Sequence, residues 1–251
     1  MNVVKYCLAG LAIFVLAGCV TTQPVKDVLA DPQRHLVTNF SEAKLSDSVR
    51  SALGIKMPGN VKRQVRIDSV MTNVEGDKEQ SFEKQSTYYV LDNGLVRDMV
   101  QTGNNGILSS SEFALNYHGI FPLIYQSLSH SATNTYSPTY TKAISKLDKG
   151  MSDPKETTEY VFEYALAPEV QLVNFNSQKT VCKTGKWFAA NTLHAALPGM
   201  ALPVECEYFG TNGQTFIKIQ TVFFKDLGIS IPRESTSSVR KRTWKIRDVK
   251  L

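Results

Sequence analysis

The sequence lacks the features that mark several classes of protein. No stretch reaches the ~18 consecutive apolar residues of a membrane-spanning helix. A net charge of +5 over 251 residues does not form the concentrated basic surface of a nucleic-acid binder, so we expect no nucleic-acid partner. Cysteine is scarce, at 4 residues, which excludes a disulfide-dense miniprotein. The remaining composition, 42% hydrophobic and 20% charged, is that of an ordinary folded protein.

Compact enzyme motifs are also missing. There is no Gly-x-Ser-x-Gly elbow, no His-Glu-x-x-His and no Walker-type glycine loop. The four histidines are expected in loops or at the surface: His35, His118, His130 and His194. No carboxylate is spaced to orient His118 or His130. We therefore predict no catalytic residue, no metal site and no cofactor. The alternative is an enzyme whose site is scattered over separate loops.

The N-terminus is the most informative segment. Lys5 is the only charged residue before an apolar run from Tyr6 to Ala17. A run of about a dozen apolar residues suits the central region of an export signal and is too short for a membrane anchor. The run ends in Leu16-Ala17-Gly18-Cys19.

This ending resembles the lipobox of bacterial lipoproteins. The resemblance implies cleavage before Cys19, a diacylglycerol thioether on its sulfur and an acyl chain such as palmitate on its amine. Several acyl chains on one residue make a durable anchor. Val20 stands where an Asp would signal retention at the inner membrane, so we expect a lipid-anchored protein of the outer membrane that faces the periplasm. A plain secretory signal with an incidental cysteine is the alternative.

The rest of the chain divides simply. Residues 1–18 are the expected signal peptide, and 19–37, with no clear periodicity, the expected tether. Residues 38–251 are expected to form a single periplasmic domain. Of the cysteines that remain, Cys182 and Cys206 are expected to pair in an exported chain. Such a bridge is worth about 3–4 kcal/mol in the chain-entropy model; the alternative is a catalytic thiol.

The hydrophobic pattern predicts a mainly β (α+β) fold. Residues 38–54 have the apolar spacing of a helix, and alternation begins at Val61. Two Asn-Gly pairs, Asn93-Gly94 and Asn212-Gly213, predict hairpins. Capping and proline signals predict short helices within 109–150, and 170–175 is expected to be a strand. We expect an antiparallel curved sheet or partial barrel with an N-terminal helix and short inserted helices.

Two segments are candidate recognition sites. Trp187 and His194 lie within the expected disulfide loop, which is either a recognition surface or a plug for one end of the sheet. Arg240, Lys241 and Arg242 are candidates for contact with an anion, or form a solvated strand edge that resists aggregation.

We therefore expect a non-enzymatic lipoprotein with a β-rich binding or scaffold domain. Besides the membrane, which it contacts through its N-terminal lipid, we expect the partner to be an envelope protein, a lipid or a polyanion. Carriage of an acyl chain or other apolar ligand in a half-barrel cavity is the alternative.

Overall fold

The computed structural model describes residues 23–251; Cys19 and the expected signal peptide lie outside them. The described chain begins with three short helices: α1 (Val25–Ala30), α2 (Pro32–Asn39) and α3 (Asp47–Leu53). Thirteen strands follow: β1 (Val61–Glu75), β2 (Lys78–Leu91), β3 (Leu95–Asn104), β4 (Ile107–Tyr117), β5 (Phe121–Ser129), β6 (Thr139–Leu147), β7 (Glu159–Pro168), β8 (Asn176–Thr184), β9 (Phe188–Ala189), β10 (Met200–Phe209), β11 (Thr215–Phe224), β12 (Ile229–Thr236) and β13 (Lys241–Lys250).

The strands close into an antiparallel barrel. Each strand pairs with its neighbours in sequence, β13 pairs with β1, and β10 pairs with β8 and β11, so twelve strands form a ring. The two-residue β9 pairs only with β10. The predicted curved sheet or partial barrel with inserted helices is therefore wrong, because pairing of β13 with β1 removes the open edges.

The two Asn-Gly hairpins are confirmed. Asn93-Gly94 lies in the turn between β2 and β3, and Asn212-Gly213 in the turn between β10 and β11. Gly94 and Gly213 have φ values of 83° and 75°. Glycine adopts such positive values without steric cost, so these turns set the register of the strands on either side.

The helices predicted within 109–150 are strands β4, β5 and β6. On β5 buried and exposed residues alternate from Ile124 onward, and this period of two overrides the local helix signals. Pro122 lies beside a register shift in the β4–β5 pairing, where a missing N–H group is tolerated. The strand expected at 170–175 is a loop, and the helix expected over 38–54 is divided between α2, a 3-10 turn at Glu42–Lys44 and α3.

The N-terminal segment packs on the outside of the barrel. Val28 and Leu36 are fully buried, His35 Nε2 lies 2.8 Å from Gln126 Oε1 of β5, and Arg97 of β3 forms a 3.0 Å ion pair with Glu42. Residues 25–37, expected to be tether, are thus part of the folded domain, and His35 is a buried residue of α2. None of the helices among residues 23–251 is long and apolar enough to cross a membrane.

The barrel has two distinct ends. Because the strands alternate in direction, six connections lie at one end: 76–77, 105–106, 130–138, 169–175, 210–214 and 237–240. The described chain starts at this end, where Pro24 pairs with Asn134 and the Val25 amide donates to the Thr133 carbonyl at 3.1 Å. We call these six connections the N-terminal rim; residues 92–94, 118–120, 148–158, 185–199 and 225–228 form the opposite end.

Candidate functional site: a polar cavity inside the barrel

A cavity of about 300 Å³ lies inside the barrel. Nine of the twelve strands contribute to its wall: β1–β5 and β10–β13. Phe121 and Phe162 lie in the hydrophobic core, where their rings stack with centroids 5.6 Å apart. The cavity wall combines apolar side chains with four charged ones: Lys84, Asp98, Glu112 and Arg242.

The acidic side chains come from adjacent strands. Asp98 of β3 lies opposite Ala114 of β4, and Glu112 lies opposite Val100, so the two carboxyl groups are diagonal neighbours on the inner face. Asn116 Nδ2 donates to Asp98 Oδ1 at 2.7 Å, and Lys84 Nζ lies 3.4 Å from Glu112 Oε1.

Asp98 holds its proton at neutral pH. Burial and, to a smaller extent, the nearby Glu112 carboxylate raise the pKa of Asp98, whereas a backbone hydrogen bond, the Asn116 hydrogen bond and Lys84 lower it, and the resulting value is about 8. A carboxyl group that stays neutral can donate a hydrogen bond as well as accept one. The same burial, together with the charge of Asp98, raises the pKa of Tyr88.

Among the described residues, Arg242 is the positively charged group of the cavity that has no carboxylate partner. Within residues 23–251 its side chain makes no ion pair with a carboxylate, and its Nε donates to Asn73 Oδ1 at 3.3 Å. Lys84 is paired with Glu112 and lies over the Trp244 ring, 5.9 Å from the centroid. With Asp98 protonated, the cavity carries two positive charges and one negative, an excess of one positive charge.

The cavity opens to solvent toward the N-terminal rim. On the inner face of β13, Ile246 is buried, whereas Trp244 and Arg242, nearer the rim, are half-buried. On β2 the inner residues change in the same direction, from the buried Tyr88 to the half-buried Lys84. Tyr125, whose partner in β4 is the cavity residue Ala114, is 41% exposed. Water and small solutes therefore reach the charged groups from this end.

The opposite end is closed by contacts across the barrel. Gly119, in the turn between β4 and β5, lies so near β12 that a Cβ atom on it would stand 2.7 Å from the Ser230 amide nitrogen. The Ser230 hydroxyl donates to the His118 carbonyl at 3.4 Å. His118, expected in a loop or at the surface, is packed into this closure, where burial lowers its pKa to about 4.

The disulfide between Cys182 and Cys206 is confirmed. The two residues are direct partners on β8 and β10, so the bridge joins adjacent strands and encloses the 185–199 connection. Trp187 packs edge-on against Phe223, with centroids 6.4 Å apart, and Leu197 is buried. Trp187 and His194 thus lie at the closed end of the barrel, away from the cavity.

The three basic candidates separate in the structure. Arg240 lies in the rim and pairs with Glu75, with Nη2 2.6 Å from Oε2. Lys241 pairs with Glu234 at 3.0 Å. Arg242 turns into the barrel. β13 has a partner on each side, so the strand is not an open edge.

Lys84, Asp98 and Glu112 were not among the site residues predicted from the sequence. The period-two pattern of β2 could have identified Lys84, because Lys84 and Ser86 share one face of that strand with Tyr88 and Val90. A charged residue on the face that carries the core is unusual. Asp98 has the same relation to Val96 on β3.

A larger depression of about 610 Å³ lies between β6–β8 and the 210–214 hairpin. Its two charged lining residues, Glu163 and Lys179, are direct cross-strand partners and so leave no charge unbalanced. The barrel cavity is the stronger candidate for a site.

Comparisons with known proteins give no family for this chain. No protein-family profile matches the sequence, and no curated protein matches it. A solved structure of a DUF1329 family protein from Desulfovibrio piger aligns with a TM-score of 0.39 and 10% identity, over 81% of this chain and 89% of that one.

Proposed function

We propose that this chain is a lipid-anchored envelope protein that binds a small anionic amphiphile inside its barrel, without catalysing a reaction. The observation that carries the proposal is the cavity itself, which is open at one end and contains an arginine without a carboxylate partner among the described residues. The anchored location rests on the sequence Leu16-Ala17-Gly18-Cys19.

The size and lining of the cavity define the ligand. Small-molecule sites are concave, mainly apolar and oriented by a few polar groups. A volume of about 300 Å³ holds a ligand of roughly ten non-hydrogen atoms, since a liquid water occupies about 30 Å³. Ile217 and Ile219 of β11 and Ile67 of β1 offer an apolar wall for the body of such a ligand.

The charge of the cavity selects the head group. A carboxylate accepts two parallel hydrogen bonds from a guanidinium. The hydrogen bond of Arg242 to Asn73 uses only Nε, so its other guanidinium nitrogens are available to a ligand. The neutral Asp98 adds a hydrogen-bond donor without repelling an anion. A charged-group hydrogen bond is worth about 1.5–3 kcal/mol, which corresponds to an affinity gain of roughly tenfold to a hundredfold over a neutral head group.

Titration calorimetry with decanoate, decanol and decylamine tests this proposal. We expect decanoate to bind at least about tenfold more tightly than the other two, and Arg242→Met to remove that preference. Arg240→Met is the matched control, since its ion pair with Glu75 lies in the rim. Equal affinity of the three compounds for the wild-type protein would reject an anion site, and binding of none would reject the cavity as a ligand site.

The carboxyl pair favours a second candidate, an acid–base enzyme. A carboxyl group with a raised pKa beside a second carboxylate is a common arrangement for proton transfer, and Asp98 and Glu112 meet that description. Hydrolysis of p-nitrophenyl acetate, a substrate near the size of the cavity, by the wild-type protein, lost in Asp98→Asn, would support the enzyme. The binding proposal expects no turnover by either protein.

A further inference from the structure

We infer that the N-terminal rim is a membrane-docking surface, which rests the open mouth of the cavity against the lipid bilayer. The inference rests on the anchored lipoprotein proposed above and adds the orientation of the domain. Three independent features of the rim point to it: its exposed apolar side chains, the position of the N-terminus and the opening of the cavity.

Exposed apolar side chains concentrate at the rim. Fourteen large apolar residues of the described chain are exposed. Eight lie at the rim, in or directly beside its connections: Ile107, Leu108, Tyr136, Val170, Leu172, Val173, Phe216 and Val239. Four lie at the opposite end: Met57, Val61, Met200 and Leu251. The hydrophobic effect opposes such exposure, so a group of apolar tips at one end indicates a surface that is covered in use.

The most prominent tip is the 169–175 connection. Val170, Leu172 and Val173 are 59%, 80% and 67% exposed, and within this loop they are held by the Gln171 side chain, which donates to the carbonyls of Val173 and Asn174. Tyr136 on the 130–138 connection is 80% exposed. A tyrosine beside aliphatic residues suits the boundary between lipid chains and head groups.

The start of the described chain identifies the occupant as lipid. Gln23 is fixed to the rim, where its carbonyl accepts from the Thr135 amide at 3.0 Å. Cys19 is four residues earlier in the sequence, and four residues span at most about 14 Å. Acyl chains on Cys19 therefore hold the rim, and not the opposite end, within reach of the bilayer surface.

The docked orientation has a consequence for ligand entry. The inner faces of β2 and β13 become more exposed toward the rim, so the mouth of the cavity faces the same surface. An amphiphile could then pass between bilayer and cavity without crossing bulk water, with its head group moving toward Arg242.

Site-specific fluorescence in liposomes tests the orientation. The full chain is expressed with its signal, its Cys19 modification is measured by mass spectrometry, and it is reconstituted in phosphatidylethanolamine and phosphatidylglycerol vesicles. Because Cys182 and Cys206 are bonded and Cys19 is acylated, an added cysteine is the reactive thiol. NBD is attached in Leu172→Cys and Val239→Cys at the rim, and in Met57→Cys at the opposite end as the matched control.

Lipids with a doxyl group in their acyl chains give the readout. Interfacial apolar groups enter the acyl boundary by about 5–10 Å, so we expect the rim labels to be quenched at least about twofold more than the Met57 label. Lipid on Cys19 with equal quenching at both ends would overturn the inference and leave the lipoprotein proposal standing. A Cys19 without lipid would overturn both. Rim labels that become buried without doxyl quenching would reveal a second copy of the chain on this surface, and would also overturn the inference.

Discussion

Asp98 links the chemistry of the cavity to the stability of the protein. Its pKa is raised to about 8 in the folded state, whereas an aspartate in an unfolded chain titrates near 4. Between these values the folded protein holds a proton that the unfolded protein has released, so the free energy of unfolding falls as pH rises. The buried carboxyl group is thus retained at a cost in stability, as is common at functional sites.

Asp98→Asn should remove this pH dependence. Between pH 5 and pH 8 we expect the variant to gain up to about 4 kcal/mol of stability relative to the wild-type protein, since each pH unit between the two pKa values corresponds to about 1.4 kcal/mol. Urea unfolding at several pH values measures it, with the exposed Asp77→Asn as control. The lowered pKa of His118 affects the free energy of unfolding at acid pH. This effect is the same in the wild-type protein and in both variants. Parallel stability curves for Asp98→Asn and wild type would contradict the assignment of a protonated Asp98.

Gly119 tests the closure of the barrel at the level of one residue. Its φ is 69°, and an added Cβ would stand 2.7 Å from backbone of β12. Gly106 has a φ of 75° with open space around it and serves as the matched control. Both Ala substitutions bear the cost of positive φ, about 1 kcal/mol. Gly119→Ala should cost at least about 1 kcal/mol more in chemical unfolding; equal losses would show that the turn and β12 are not in contact.

At the level of elements, the disulfide ties β8 to β10, the place where the ring departs from sequential pairing. A long connection, 185–199, leaves β8 before the chain returns as β10. Cys182→Ser with Cys206→Ser should lower the free energy of unfolding by about 2–4 kcal/mol, mainly through the greater freedom of the unfolded chain. Thermal unfolding of the double variant, with reduced wild-type protein as control, measures the loss. Unchanged stability would show that the disulfide does not stabilise the pairing of β8 with β10.

Turns and strands with strong local signals could be predicted from the sequence. The Asn93-Gly94 and Asn212-Gly213 hairpins follow from residues that accept positive φ, and the pairing of Cys182 with Cys206 follows from the number of cysteines and from the expected export. The segment 109–150 could not be assigned by local signals, because Ser-x-x-Glu and Pro patterns resemble helix starts whether or not neighbouring strands compete. Pairing with β3 and β7 gives these residues more hydrogen bonds and burial than isolated short helices would.

Closure and the cavity were beyond sequence analysis for a different reason. The pairing of β1 with β13 depends on residues far apart in the sequence, such as Val70 and Lys245. Asp98, Glu112 and Arg242 come from three strands and share no spacing in the sequence. Their proximity follows from strand order alone, so no motif records it.

At the scale of the whole molecule, the cavity, its mouth and the start of the described chain lie along one direction. The closed end is packed with the 118–120 turn and the 185–199 connection, the charged groups lie inside, and the rim carries both the open mouth and the chain that leads to Cys19. In the function and orientation proposed above, the mouth of the cavity faces a lipid surface, and the affinity for an anion depends on pH because Asp98 lines the cavity.

Decanoate affinity should fall as pH rises through the Asp98 pKa. Above about pH 8 Asp98 ionises and cancels the excess positive charge of the cavity, so we expect roughly tenfold weaker binding at pH 9 than at pH 6. Asp98→Asn should bind decanoate with the same affinity at both values, and decanol serves as the uncharged control. Calorimetry in which wild type and variant weaken equally would assign the effect to another group.

The central claim is that the barrel interior holds an anionic amphiphile by its head group. A crystal structure of the protein with 10-bromodecanoate tests it most directly, because anomalous scattering locates the bromine without reference to the protein. The account predicts a carboxylate at Arg242, within hydrogen-bond distance of its guanidinium, and the bromine inside the barrel beside the isoleucines of β11. Bromine only on the outer surface, or a carboxylate bound away from Arg242, would contradict it.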